Sequence, residues 1–240
     1  MRWKVPRIWE GGDVWILGGG PSVTKQFGIP EEVVQSVMNG TSSPSVYSSY
    51  MEQIYDKHVI GINVAYLIGE WIDMVFFGDN KFFLNHKERL AVWPGLKVSC
   101  YAGIDKYDWV KYLPRDARKR QGISSDPTTV AWNCNSGAAA ISVAVNAGAK
   151  RIFLLGFDMN LGDTGKQHWH TLYKSKTPVQ PLKPHKGVVP KVHHLPFERH
   201  LRGFPAIARD AKLRGVEIIN VCPTSAVTVF PRVNLKDVLG

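Results

Sequence analysis

The sequence predicts an α/β fold built on a doubly wound, mostly parallel sheet, and three observations carry that expectation. Six short runs are almost continuously apolar, as strands covered on both faces are. Segments of helical character lie between them. Nearly every run ends in glycine, asparagine, aspartate or serine, the residue types that gather where the strands of an open parallel sheet release the chain.

The first run, Val14-Trp15-Ile16-Leu17, is halted by Gly18-Gly19-Gly20-Pro21-Ser22. The second, His58 to Ile62, ends at Asn63, with Tyr66 shortly after. Met74 to Phe77 ends in Gly78-Asp79-Asn80, and Leu96 to Tyr101 forms a fourth run. Arg151 to Gly156 is followed by Asp158 and Asn160, and Val216 to Cys222 by Pro223-Thr224-Ser225. Between them, Pro30 to Met38 begins with proline and acidic residues, as a helix N-terminus does. Asn80 to Val92 is a second helix. Asn135-Ser136-Gly137 opens an alanine-rich helix over Ala138 to Ala149, small enough to lie close against a sheet. Phe197 to Arg214 reads as one long amphipathic helix ended by Gly215. The pattern is Rossmann-like: one domain over residues 1–240. Two segments break it. Residues 40–50 read as a mobile loop. Residues 160–196, rich in proline, glycine, histidine and lysine, read as an irregular basic insert or lid, since so long a loop in a compact domain is usually functional or disordered.

Composition narrows the classes. The hydrophobic fraction of 44% suits a globular core. No stretch reaches the roughly 20 apolar residues of a membrane span. Met1 to Arg7 is charged with no apolar run behind it, so the sequence predicts no signal peptide and a cytoplasmic location. Three cysteines, Cys100, Cys134 and Cys222, include no CxxC pair and read as reduced, mostly buried thiols. The net charge of +10 favours encounter with polyanions: nucleotides, nucleic acid or anionic glycans. A homo-oligomer is compatible with all of this.

The chemistry is expected at the carboxyl ends of the strands. Gly18, Gly19 and Gly20 allow backbone N–H groups to approach a phosphate, and Ser22 adds a hydroxyl. The turn is neither a P-loop, for no GK[ST] follows, nor a complete GxGxxG; a tight turn without a ligand is the alternative. Asn135, Ser136 and Gly137 read as a plain N-cap or as an anion- or sugar-binding helix start. Asp79 and Asp158 would hold Mg²⁺ beside a phosphate, bind a ribose, or cap loops. His168-Trp169-His170 and His193-His194 lack a convincing third metal ligand, so general acid–base work, or simple exposure, suits them better. No metal site is expected.

The segments WILGGGPSV, GINVAYL, DMVFFGDNKFF, NSGAAAISVAVNAGAKRIFLLGFDMN and INVCPTSAV resemble two related families. One is the bacterial sialyltransferases that use CMP-sialic acid. The other is the 6-hydroxymethylpterin diphosphokinase-like family, which includes motility-accessory glycosyltransferase-like proteins and phage proteins. The resemblance spans most of residues 13–230. It implies a nucleotide-activated donor bound by Gly18, Gly20, Pro21, Ser22 and Asn63, with Asn135, Ser136 and Gly137 lining the same pocket; Gly19, Asp79 and Ser225, at the carboxyl ends of neighbouring strands, are assigned to the nucleotide from their place on that edge. A histidine ahead of the last long helix would act as base, with His193, His194 and His200 as candidates and His194 preferred. The diphosphokinase side would give Asp79 and Asp158 to Mg-ATP. Tyr173 is the nearest match to the tyrosines that support the departing phosphate in the sialyltransferases. The function implied is a transferase, foremost a glycosyltransferase, acting with a nucleotide-sugar donor, with or without Mg²⁺, on an anionic acceptor such as nucleic acid. The alternatives are a diphosphokinase acting on a pterin-like alcohol and a non-catalytic nucleotide- or nucleic-acid-binding protein.

Overall fold

The computed structural model describes residues 3–161, 165–172 and 196–239. Its centre is one seven-stranded sheet of β1 (Asp13–Leu17), β2 (His58–Ile62), β3 (Met74–Phe77), β4 (Leu96–Ser99), β5 (Lys111–Tyr112), β6 (Arg151–Leu155) and β7 (Glu217–Asn220). The order is β5-β4-β3-β2-β1-β6-β7, and every pairing is parallel. Helices flank both faces, so the fold is α/β and Rossmann-like. They are α1 (Ser22–Gln26), α2 (Glu31–Met38), α3 (Asn80–Val92), α4 (Ser136–Asn146), α5 (Phe197–Leu201), α6 (Phe204–Leu213) and α7 (Lys236–Leu239).

The strand period divides the core. Val14 and Ile16 face one side with Ile60, Phe76, Ile152 and Leu154, beneath α4 and α6. Trp15 and Leu17 face the other with Val59, Phe77, Phe153 and Leu155, beneath α1, α2 and α3. Both faces are covered, which is why these runs carry almost no polar residues. Helix α4 is buried along its whole length. Its alanines let it lie against β1, β2 and β3, and Gly137 is needed at its start because a Cβ there would stand 2.8 Å from the Phe157 ring. Each fully buried Ile or Val on such a helix contributes about 1.5–3 kcal/mol.

Several expectations are corrected. Residues 40–50 are not a mobile loop: Pro44–Tyr50 forms a 3-10 helix whose Tyr47 is fully buried. The segment 197–214 is not one helix. It breaks between Leu201 and Phe204, where Gly203 packs so tightly on Asn133 that a Cβ would lie 2.7 Å away, and Pro205 sits in the first turn of α6. Strand β5 has only two residues and no apolar run to betray it. Cys100 and Cys222 are buried as expected, but Cys134 is exposed. Among the described residues no helix is long and apolar enough to cross a membrane.

Candidate functional site

Strand β1 has β2 on one side and β6 on the other, so the chain leaves β1 and β6 toward opposite faces. That divergence opens a crevice beyond the carboxyl ends of the two strands, the place where open α/β sheets bind ligands. A cavity of about 940 Å³ lies there, within the roughly 300–1,000 Å³ usual for ligand pockets. Of the residues expected at the site, Gly18, Gly19, Gly20, Asn63, Asp79, Asn135, Ser136, Gly137 and Asp158 all line it. They come from the ends of β1, β2, β3 and β6 and from the start of α4.

The glycine turn is tied into the protein. Gly18 N–H donates to Leu155 O at 2.7 Å and Gly20 N–H to Gly156 O at 3.0 Å, extending the β1–β6 ladder past the strands. Trp169 approaches from the other side. Its backbone N–H donates to Gly19 O at 3.1 Å, and its indole N–H to Gly18 O at 2.9 Å. Ser22 N–H and hydroxyl both donate to the Asp158 carboxylate, at 3.0 and 2.7 Å. Among the amides of residues 18–22, Gly19 N–H alone has no acceptor within the described residues. Asp158 is 5% exposed. Burial raises its pKa, and the two bonds from Ser22 oppose that rise. Pro21 and Ser22 do not line the cavity; Ser22 serves it through Asp158.

Other groups are uncommitted. Asn135 caps α4, its side-chain oxygen accepting from the Gly137 and Ala138 amides at 2.9 and 3.3 Å. The hydroxyl of Ser136, a residue 7% exposed, makes no hydrogen bond within the described residues. Asn63 stands at φ 53°, in the left-handed region, and its side-chain oxygen is buried with no donor among the described residues. Asp79 occupies the N-cap position of α3 without capping it. Asn133, Cys134 and Met159 are the other described non-glycine residues at positive φ. Three of these four strained positions, Asn63, Cys134 and Met159, line the cavity, and such strain clusters where function over-determines geometry.

Sequence reasoning missed much of the wall. Lys81 and His86 reach it from α3, Arg199 from α5 and Trp132 from the loop before α4, while His200, one of the candidate bases, and His168, already considered for acid–base work, also line it. Trp132 carries the Arg115 guanidinium 3.8 Å from its ring centre. His86 is lowered to about 4, first by burial and then by Arg89. His168 and His200 are lowered too, mainly by burial. The imidazoles of the cavity are therefore neutral at pH 7. Lys81 and Arg199 bring positive charge without an ion-pair partner among the described residues. The helix over Asn80–Val92 was expected; the signal that would have put its side chains on the wall is the polar face of NKFFLNHKERL directly after a strand end.

Ser225 is placed elsewhere. It is 1% exposed, donates to Phe157 O at 2.6 Å and accepts from Asn220 at 2.8 Å, so it knits the chain behind the pocket. His193, His194 and Tyr173 lie outside the described residues, as does most of the basic insert. Its described part, 165–172, is seated on the glycine turn through the buried Trp169. Among the described residues no group of three or more His, Cys, Asp or Glu side chains is placed to hold a metal ion. A second cavity of about 520 Å³ lies at the opposite edge of the sheet, around Lys4, Lys150 and Arg214.

No family model matches the chain. No curated protein matches it either. Two solved structures of the sialyltransferase CstII from Campylobacter jejuni are similar to it. The one in complex with the substrate analogue cytidine-5'-monophosphate shares 16% identity, over 98% of this chain and 86% of that one, at a TM-score of 0.49. The one in complex with CMP-3FNeuAc shares 13% identity, over 92% of this chain and 86% of that one, at a TM-score of 0.48.

Proposed function

We propose that the chain is a glycosyltransferase that binds a nucleotide-activated sugar in the cavity beyond β1 and β6. The observation that carries this reading is the convergence of unused polar groups on one crevice at the switch point. Ser136 hydroxyl and Gly19 N–H are donors suited to phosphate oxygens, with Lys81 and Arg199 to offset charge. The orphaned Asn63 oxygen would take a hydroxyl or amino hydrogen from the sugar or base. The motif resemblance of residues 13–230 points the same way.

For transfer, the acceptor hydroxyl must lose a proton as the sugar leaves the phosphate. His194 retains the role of base that the resemblance gives it, with His193 beside it. His200, neutral and on the cavity wall, is the alternative that geometry supplies. An anionic acceptor such as nucleic acid fits the charge of the insert. The diphosphokinase reading is less well served, because Asp158, one of the two carboxylates it would give to Mg²⁺, already accepts two hydrogen bonds from Ser22.

A thermal-shift screen against CMP, UDP, GDP, ATP and their sugars tests the reading. A ligand at one hundred times its Kd stabilises the fold by about 2.7 kcal/mol. No stabilisation by any of them would sink it. Transfer that survives EDTA supports the glycosyltransferase, whereas strict Mg²⁺ dependence would turn the assignment to the diphosphokinase. Transfer lost in H194A but kept in H200A assigns the base to His194, and the reverse to His200.

A further inference from the structure

Tyr66 and His86 form a pair that the proposed reaction does not use. Tyr66 sits on the 3-10 helix Asn63–Leu67 that follows β2, and His86 on α3, which follows β3. Their Oη and Nδ1 atoms are 3.0 Å apart. The His86 ring is held on two sides. It stacks on Phe82 at 4.6 Å and 19°, and meets Tyr66 edge-on at 5.8 Å and 79°. His86 lines the cavity, while Tyr66 is 3% exposed.

The proton between these two atoms has two possible owners, and satisfaction of the buried hydroxyl separates them. If Nδ1 carried it, the Tyr66 oxygen would accept and its own O–H would be left buried with no acceptor among the described residues. A buried donor without a partner costs the full desolvation of that group. If Tyr66 O–H donates to Nδ1, both atoms are satisfied and the imidazole proton resides on Nε2. The geometry points to His86 as a neutral, orientationally fixed Nε2–H donor to an oxygen of the bound nucleotide-sugar, with Tyr66 as the positioning residue that sets its tautomer. The donation step rests on the nucleotide-binding reading above; the tautomer does not.

The surroundings keep the ring in this state. Burial pushes Tyr66 up to about 12, so it remains an O–H donor at every working pH. Arg89, one turn along α3, adds to burial in disfavouring the imidazolium, and a charge on His86 would in turn disfavour one on His170. A donor that stays neutral costs no charge burial when the pocket closes on a ligand, and it favours an oxygen acceptor without repelling Lys81.

Two measurements test this. Long-range proton–nitrogen NMR of the histidine rings, assigned through H86Q, should show His86 as the Nε2–H tautomer, unchanged between pH 8 and pH 5.5. Y66F should release it into a mixture of tautomers. An Nδ1–H tautomer in the wild type, or an ordinary titration in that range, overturns the tautomer assignment. The second measurement is calorimetric affinity for whichever of CMP, UDP, GDP or ATP stabilises the wild type most, taken also with its sugar conjugate. H86F should lose about tenfold in binding the conjugate, the loss of one hydrogen bond. H86Q should retain most of the affinity, since its amide can accept from Tyr66 and still donate. Equal affinity in H86F and wild type overturns the donation, as does H86Q no better than H86F. A loss for the conjugate but not the bare nucleotide assigns the accepted oxygen to the sugar; an equal loss assigns it to the nucleotide. If no nucleotide binds the wild type, the underlying reading fails and donation with it, while the NMR result still decides the tautomer.

Discussion

Replacing Asp158 separates a structural carboxylate from a chemical one. In the structure it accepts from Ser22 N–H at 3.0 Å and from Ser22 hydroxyl at 2.7 Å, bridging the end of β6 to the start of α1. Hydrogen bonds to a charged group contribute about 1.5–3 kcal/mol each, and part of that is spent desolvating a carboxylate only 5% exposed. D158A leaves both Ser22 donors without an acceptor, so it should lower unfolding stability by about 2–4 kcal/mol in urea titrations. D158N differs. Its side-chain oxygen can accept from Ser22 N–H while its amide donates to the Ser22 hydroxyl, so stability should stay within about 1.5 kcal/mol of wild type. Nucleotide affinity and turnover of D158N should then stay within a few-fold of wild type. The sign of the pH effect follows from burial, which holds the folded-state pKa above 3.8. A carboxyl whose pKa is raised by folding favours the folded state as it takes up its proton. Wild type should therefore gain stability relative to D158N as pH falls through the folded-state pKa toward 3.8. If D158N folds with unchanged stability yet abolishes turnover, the lock is not its role, and Asp158 acts on substrate or metal as the sequence first suggested.

Other outcomes follow from the same geometry. G20A should destabilise by about 1–3 kcal/mol or more, because its Cβ would fall 1.9 Å from an Asp158 oxygen and 2.7 Å from Gly156 O; unchanged urea stability would refute the packing argument. S136A should weaken nucleotide binding about three- to tenfold by calorimetry while leaving the melting temperature nearly unmoved, since the hydroxyl has no partner among the described residues. W169A removes an indole that is 1% exposed and donates to Gly18 O, so it should cost about 3–5 kcal/mol; a loss below about 1 kcal/mol would show that residues 165–172 are not anchored there. Stability should fall as pH drops from 6.5 toward 4, because His86 in the unfolded chain binds the proton that the folded state refuses; H86Q should flatten that slope in urea titrations at pH 7.5, 6 and 5.

Much of the fold was legible because a parallel sheet covered on both faces must be written in apolar residues. Trp15, Phe76 and Leu154 have no polar alternative in their positions, so their strands declare themselves. The carboxyl-edge residues were legible for the same reason: the first polar residue after such a run is where burial ends. What failed was local. Strand β5 is held by its pairing with β4 and carries no burial signature. The 3-10 helix at Pro44–Tyr50 buries only Pro44 and Tyr47 in an otherwise serine-rich stretch, and two anchors are too few to set a detectable period. The break after Leu201 depends on Gly203 meeting Asn133, a contact between residues far apart in sequence. The partners of the glycine turn were illegible in the same way. Nothing in Gly18-Gly19-Gly20-Pro21-Ser22 announces that Trp169, Gly156 and Asp158 will occupy most of its hydrogen-bonding groups.

That occupancy changes what the turn is for. Three glycines after a first strand suggest a row of amides presented to a phosphate, yet Gly18 and Gly20 are glycines because β6 and Asp158 come too close for any side chain. Gly19 N–H is the exception, and the nearest side chain to a Cβ placed there would be His168, at 3.0 Å. The turn therefore acts less as a cradle than as a clasp that fixes β1 and β6 at the point where the chain diverges. Under the proposed function, ligand recognition then falls to groups the clasp positions but does not consume: Ser136 at the head of α4, Asn63 after β2, and Lys81 and His86 on α3. They come from the end of β2, from the helix after β3 and from the head of α4, so their mutual placement depends on sheet register, which the clasp sets. Variants of the clasp should consequently change stability and affinity together, whereas variants of Ser136 should change affinity alone. A clasp variant that kept full stability and lost binding would return the phosphate to the turn.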